Sequence, residues 1–338
     1  MTNVAVACQG GGSHTAFAAG ALQRILEDCP DEYNLIALSG TSGGGICALL
    51  GWAGLAAGAP ETAVSNLTAF WRDVAADSYA EAVANDWSLA SSRFMSEFGS
   101  VGVSPYYNPW ADVGQDQLRE TVYRYCDVPG AFEDSEEADS DEAIPALFLG
   151  AVEVQSGDFT VFTTDADRVA AKPETFQHVG SPDEAADAAL ASAAVPTIFE
   201  AVEIDGRYYW DGLFSQNPPI RHFTAGVDVA DKPDEIWIVR IDPKAMDPET
   251  RTVPPRSMLE ITDRRTELSG NLSLDQEKHT IETVNAFVEG NPDYKEIQIR
   301  EVTLRKNLDA YSKFDRDPDF LADLRRRGRS RASEFWDG

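Results

Sequence analysis

Ser42 stands at the centre of Gly40-Thr41-Ser42-Gly43-Gly44, a Gly-x-Ser-x-Gly pentapeptide set between an apolar run at 35–38 and an apolar, helix-patterned stretch from Gly45 onward. Strand, sharp turn and helix in that order lift a serine Oγ above a strand end, and the glycines tolerate the crowding around it. The segment therefore suits a nucleophile. A second glycine cluster, Gly10-Gly11-Gly12, closes the apolar run 4–8 and leads through Ser13 into a helix pattern carried by Phe17, Ala21, Leu22, Ile25 and Leu26. Backbone N–H groups converging there can hold an oxyanion or a phosphate equally well. Dinucleotide binding fits poorly, because Thr15 fills the third glycine position, residue 40 ends the second strand without an acid, and no Gly-Lys-Ser/Thr occurs.

A serine nucleophile needs a base, and the chain offers His14, His178, His222 and His279. His14 begins a helix beside the triple glycine, where a structural or anion-facing role is expected. His178 and His279 read as surface residues, and His222 is the best placed of the four. Tyr209-Trp210-Asp211-Gly212 supplies a carboxylate directly after an aromatic strand, although Asp-Gly is also an ordinary turn pair.

The elements that must hold these groups follow from hydrophobic period. Strands are expected at 4–8, 35–38, 146–154, 158–163, 201–204, 208–210 and 236–241, with a strand-like stretch at 296–304. Ser156-Gly157 and Asp205-Gly206 mark hairpin turns. Helices are expected at 15–27, from 45, at 116–125, 185–194, 256–288 and 317–336, and over most of the aromatic-rich stretch 62–110. That pattern predicts a three-layer α/β/α sandwich with a mostly parallel central sheet. It also predicts one domain over 1–338: a core at about 4–242, a C-terminal extension at about 254–338 packed on it, and a solvated acidic loop at 133–142.

Composition narrows the function. Lys and Arg together number 28 against 57 Asp and Glu, giving a net charge of −29 that would repel nucleic acid and opposes docking on anionic lipid. Arg outnumbers Lys and acids are spread along the chain, as suits a surface adapted to high salt. Cys8, Cys29, Cys47 and Cys126 form no C-x-x-C pair, so neither a disulfide framework nor a metal site is expected, and no cofactor. The residues preceding Gly10 lack a basic signal-peptide head, and the longest apolar stretch, 46–59, falls short of the ~20 residues a spanning helix needs. A cytoplasmic protein is expected.

Together, in this order, the three motifs resemble the patatin-like phospholipases. The run from Gly10 to Phe17 is similar to that family's oxyanion loop, Gly40 to Gly44 to its nucleophile elbow, and Asp211-Gly212, with its lead-in from Ile204, to its aspartate motif. Ser104-Pro105-Tyr106-Tyr107-Asn108-Pro109 and Ala191-Ser192-Ala193-Ala194-Val195-Pro196 resemble further stretches of bacterial and archaeal members. The chain departs from the family at Thr15, where a glycine is usual, at His14, where Arg or Lys is usual, and at Leu213, where a small residue is usual. The resemblance implies a Ser42–Asp211 dyad without histidine. It further implies oxyanion donors at Gly11 and Gly12 flanked by Gly10 and Ser13, and an aromatic groove for an acyl chain between Phe70 and Trp110. An isolated Asp near pKa 3.9 is a weak base at neutral pH, so the dyad calls for a buried one. The expected activity is hydrolysis of lipid or simple acyl esters, with transient contact at a membrane surface allowed and oligomeric state open. The alternatives are an idle lipid-binding protein of the same fold, or acyl transfer or thioester chemistry through the same serine.

Overall fold

The computed structural model describes residues 1–76, 104–133, 144–196, 198–242, 254–288, 291, 294–306 and 308–336. The part of the aromatic stretch that includes Tyr79, Trp87, Phe94 and Phe98 lies outside them, as does the acidic run after Glu133.

The first strand, β1 (Thr2–Cys8), shows why the fold is layered. Val4, Val6 and Cys8 belong to one apolar core and Ala5 and Ala7 to another, so both faces of the strand are buried. A strand covered on both sides reads as a continuous apolar run, which is how 4–8 reads. β1 pairs in parallel with β2 (Tyr33–Gly40) on one side and β8 (Glu235–Arg240) on the other. The sheet continues outward in parallel through β3 (Ala146–Glu153) beyond β2 and β9 (Gln298–Thr303) beyond β8. β4 (Phe159–Thr163) returns antiparallel to β3 and carries the short β5 (Phe176–His178) at the edge. β6 (Val202–Ile204) and β7 (Arg207–Asp211) form a hairpin that pairs antiparallel to the end of β3, Ala151 lying opposite Asp211. Asp205 and Gly206 both hold positive φ, 52° and 75°, as the tightest hairpin turns require.

Helices α1 (Ala16–Asp28), α2 (Gly43–Ala56), α3 (Pro60–Val74), α4 (Pro109–Cys126), α6 (Pro182–Ala193) and α8 (Pro318–Trp336) contribute to the first core, while α7 (Met258–Val288) covers the second. A short α5 (Ala166–Ala171) sits near β5. The sheet is thus mixed, mostly parallel and flanked by helices on both faces, as the alternation of elements predicts. α2 is buried nearly all round, consistent with its unbroken apolar composition.

The last elements are tied into the sheet and not merely draped over it. β9 completes one edge, and Trp237 of β8 meets the rings of Tyr33, Phe335 and Trp336 at centroid distances of 5.0, 5.3 and 4.9 Å. Edge-to-face contacts of this kind add about 0.5–1.5 kcal/mol each beyond burial. Phe70 and Trp71 pack in the first core, which corrects the reading of those two residues as groove wall, whereas Tyr106 and Tyr107 are exposed. β5, α5 and several single 3-10 turns were not legible in the sequence, because three to six residues carry too little period to register.

Candidate active site

Ser42 occupies the turn between the carboxyl end of β2 and the first residue of α2. Its φ of 57° and ψ of −138° place a non-glycine residue in a region that glycine favours, so the turn stores strain and its neighbours must over-determine it. They do. The Ser42 N–H donates to the carbonyl of Ser192 at 2.9 Å and lies 3.1 Å from the Ser192 hydroxyl, which itself donates to the Gly150 carbonyl at 2.7 Å. The neighbouring Thr41 hydroxyl donates to the Gln216 carbonyl at 2.8 Å.

The glycine loop lies against this turn. A Cβ on Gly10 would stand 2.2 Å from the Thr41 carbonyl oxygen and 2.6 Å from the Ser42 Cβ, so only glycine permits the approach. The Gly10 peptide is clasped on both sides by Asn217, whose Oδ1 accepts from Gly10 N at 2.7 Å while its Nδ2 donates to Gly10 O at 3.1 Å. Gly10 N–H is therefore occupied. The N–H groups of Gly11 and Gly12 have no hydrogen-bond partner among the described residues, and Ser13 follows them in the first turn of a 3-10 helix leading into α1. Thr15, the departure from the family pattern, donates its hydroxyl to the Gly12 carbonyl at 2.5 Å and packs on Gly43, so it braces the loop against the elbow.

Asp211 ends β7 and is fully buried. Its backbone N–H donates to the Ala194 carbonyl at 3.0 Å, and its Oδ1 accepts from Leu213 N at 2.9 Å. Oδ2 is left without a full hydrogen bond. Burial pushes the carboxyl up to about 8, against the opposing pull of the Ser42 hydroxyl and the Leu213 N–H, both of which favour the charged form. Ser42 and Asp211, 169 positions apart, are thus in one site. The segment from Ala191 to Val195 holds both, Ser42 through Ser192 and Asp211 through Ala194.

The histidines take other parts. His222 is buried, stacks on Phe159 at 5.9 Å and contacts Gln216 at 2.9 Å, and burial with the nearby Arg221 and Arg168 brings it down to about 3. His14 is buried and held by Ser312 at 2.8 Å, with burial and the charges of Lys313 and Lys306 keeping it well below the usual histidine range. Both remain neutral near pH 7. His178 and His279 are exposed.

Behind the glycine loop lies an ionic cluster that the sequence did not announce. Lys313 is partly buried among Asp242, Asp263 and Glu267 at 3.4, 2.8 and 3.0 Å. Burial works against its charge, but the three carboxylates outweigh burial and hold Lys313 above the ordinary lysine range. The Lys313 carbonyl also abuts Gly12, whose φ is +58°. The residues missed by sequence reasoning, Ser192, Asn217 and Lys313, act through hydrogen bonds and charge, and no local spacing marks such roles.

The fold and site define an α/β protein with a mostly parallel sheet and a serine on a strand-to-helix elbow. Residues 6–224 match the family model described as patatin-like phospholipase, and the chain belongs to that family. No curated protein matches it. Among solved structures it is similar to VipD from Legionella pneumophila, at 11% identity and TM-score 0.43, covering 100% of this chain and 67% of that one. It is also similar to ExoU in the ExoU–SpcU complex of the Pseudomonas aeruginosa type III secretion system, at 15% identity and TM-score 0.34. That match covers 100% of this chain and 51% of the other, so the chain spans about half the length of the ExoU chain. Likeness at this level carries no argument about chemistry. The family supports a lipid hydrolase, and no helix among the described residues is long and apolar enough to cross a membrane.

Proposed function

We infer that the protein hydrolyses carboxylic acyl esters of lipids through a Ser42–Asp211 dyad and an acyl-enzyme. The observation that carries the reading is a fully buried carboxylate with a raised pKa beside a serine hydroxyl on a positive-φ elbow, with no histidine in contact. Asp211 in its charged form accepts the Ser42 proton as Oγ attacks the ester carbonyl. Negative charge then develops on the former carbonyl oxygen, and in this reading the N–H groups of Gly11 and Gly12 hold it, with Ser13 beside them and Gly10 anchoring the loop. Removing one such donor typically costs about 3–4 kcal/mol in the barrier.

The tetrahedral species collapses as the alcohol leaves with the proton from Asp211. Water then gives a proton to Asp211 and attacks the acyl-enzyme, and Ser42 departs with that proton restored. A base whose conjugate acid lies near 8 drives proton abstraction far better than one near 4, and this is what the buried position contributes. Labelling with a fluorophosphonate probe in molar KCl, alongside turnover of a soluble short-chain ester, tests the assignment. Labelling is expected to vanish in Ser42→Ala and turnover in both Ser42→Ala and Asp211→Asn. Undiminished turnover in either variant refutes the dyad.

A further inference from the structure

One face of α7 is at odds with the rest of this acidic molecule. Met258, Ile261, Leu268 and Leu272 are 41 to 60% exposed and recur at three-, four- and seven-residue spacings, so they form one stripe on the helix. Arg265 is exposed on the same stripe, and Arg256 is exposed just before the helix begins. Between Met258 and Thr280 no Asp or Glu is exposed. Asp263 and Glu267 of this stretch turn to Lys313, Glu277 accepts from the N–H groups of Ile220 and Arg221, and Glu260 caps the helix start by accepting from the N–H groups of Arg256 and Ser257. In a chain of net charge −29, this face is apolar and basic.

The same helix grips the active-site loops, Ser269 from the edge of the stripe and Gly270 from the other side. Ser269 Oγ donates to the Phe214 carbonyl at 2.7 Å, and a Cβ on Gly270 would lie 3.2 Å from the Leu213 carbonyl, so α7 packs directly on the turn that follows Asp211. Tyr311 donates to Ser257 at 3.1 Å, and Lys313 joins α7 to the segment that backs the glycine loop. Two further exposed aromatics, Phe214 and Phe314, are carried by these same two segments.

We propose that this face of α7, with Phe214 and Phe314, docks the protein on a zwitterionic lipid surface and delivers esters from that surface to Ser42; the delivery half rests on the hydrolase reading above. The charge pattern selects the partner. A strongly anionic surface is repelled by the protein as a whole, whereas a zwitterionic one offers phosphates to Arg256 and Arg265 and hydrocarbon to the stripe.

Flotation of the full chain with phosphatidylcholine vesicles, alongside turnover of a vesicle-embedded ester and of a soluble short-chain ester, tests this. The variant is Leu268→Glu with Leu272→Glu, and Val113→Glu, an exposed position on α4, is the control. Vesicle affinity is expected to fall roughly 100-fold or more in the double variant and to hold in the control. Turnover of the embedded ester should fall with it, while turnover of the soluble ester stays within about twofold. If neither ester is turned over yet vesicle binding falls as stated, the docking surface stands and the hydrolase reading fails. Equal flotation of wild type and double variant overturns the proposal, as does a wild type that does not float. A wild-type dimer that Leu268→Glu dissociates, without vesicle binding, assigns the face to a second copy of the chain instead.

Discussion

Replacing Asp211 by asparagine should separate what the carboxylate does for catalysis from what it costs the fold. Burial raises the native carboxyl to about 8, against about 3.9 in the unfolded chain. Between those values the native state keeps the proton and the unfolded state does not. The unfolded state therefore binds fewer protons, and stability falls as pH rises. The slope is about 1.4 kcal/mol per pH unit, so from pH 5 to 7.5 the wild type should lose roughly 3 kcal/mol that Asp211→Asn does not lose. Asparagine keeps an oxygen for the Leu213 N–H and can turn an amide hydrogen to Ser42 Oγ, so its own packing cost is nearly constant across this range. Denaturant unfolding of both proteins at several pH values in molar KCl reads the difference directly. The same ionisation governs turnover: near pH 7 about one molecule in ten carries the charged base, and wild-type kcat/KM should climb about tenfold per unit until it levels near pH 8. Parallel stability curves for the two proteins, or a rate that levels near pH 4 to 5, would refute the argument that desolvation sets this group.

Asn217→Ala strips both hydrogen bonds from the Gly10 peptide and leaves its buried N–H unpaired, which should cost about 1–3 kcal/mol of stability. As a positioning residue it should lower kcat by 10- to 100-fold with KM of a soluble ester little changed; equal kinetics would show that the clasp does not align the loop. Ser42→Gly removes the left-handed strain at φ 57° and should stabilise the protein by about 1 kcal/mol while abolishing probe labelling, with thermal unfolding as the readout. Lys313→Met leaves Asp242, Asp263 and Glu267 facing one another in a buried space and should destabilise by roughly 3–5 kcal/mol at pH 7. Asp242, already raised by burial to about 6, is expected to take up a proton in that variant, so the loss should shrink on acidification, as unfolding at pH 5 would reveal.

The sequence by itself determined the framework that carries the site. Apolar runs at 4–8 and 35–38, and 236–241 with Arg240 as its one polar member, predict buried strands, and the structure has them as the three adjacent parallel strands β1, β2 and β8. Glycines around Ser42 and at Gly10 to Gly12 announce tight turns, because the constraint is local: a backbone approach that admits no Cβ leaves a mark in the residue type. Three features were decided only in tertiary structure. Asp211 is an ordinary turn acid in the sequence, and its displaced pKa exists because β7 pairs with the end of β3 and closes water away from it. Ser192 and Asn217 look like residues of a small-residue helix and a loop until the chain brings them to the Ser42 and Gly10 backbones, across 150 and 207 positions respectively. Lys313 and its carboxylates come from three separate segments of the chain's second half and meet behind the glycine loop. Local sequence encodes period, steric tolerance and turn chemistry, whereas desolvation and long-range hydrogen bonding depend on which surfaces the whole fold brings together.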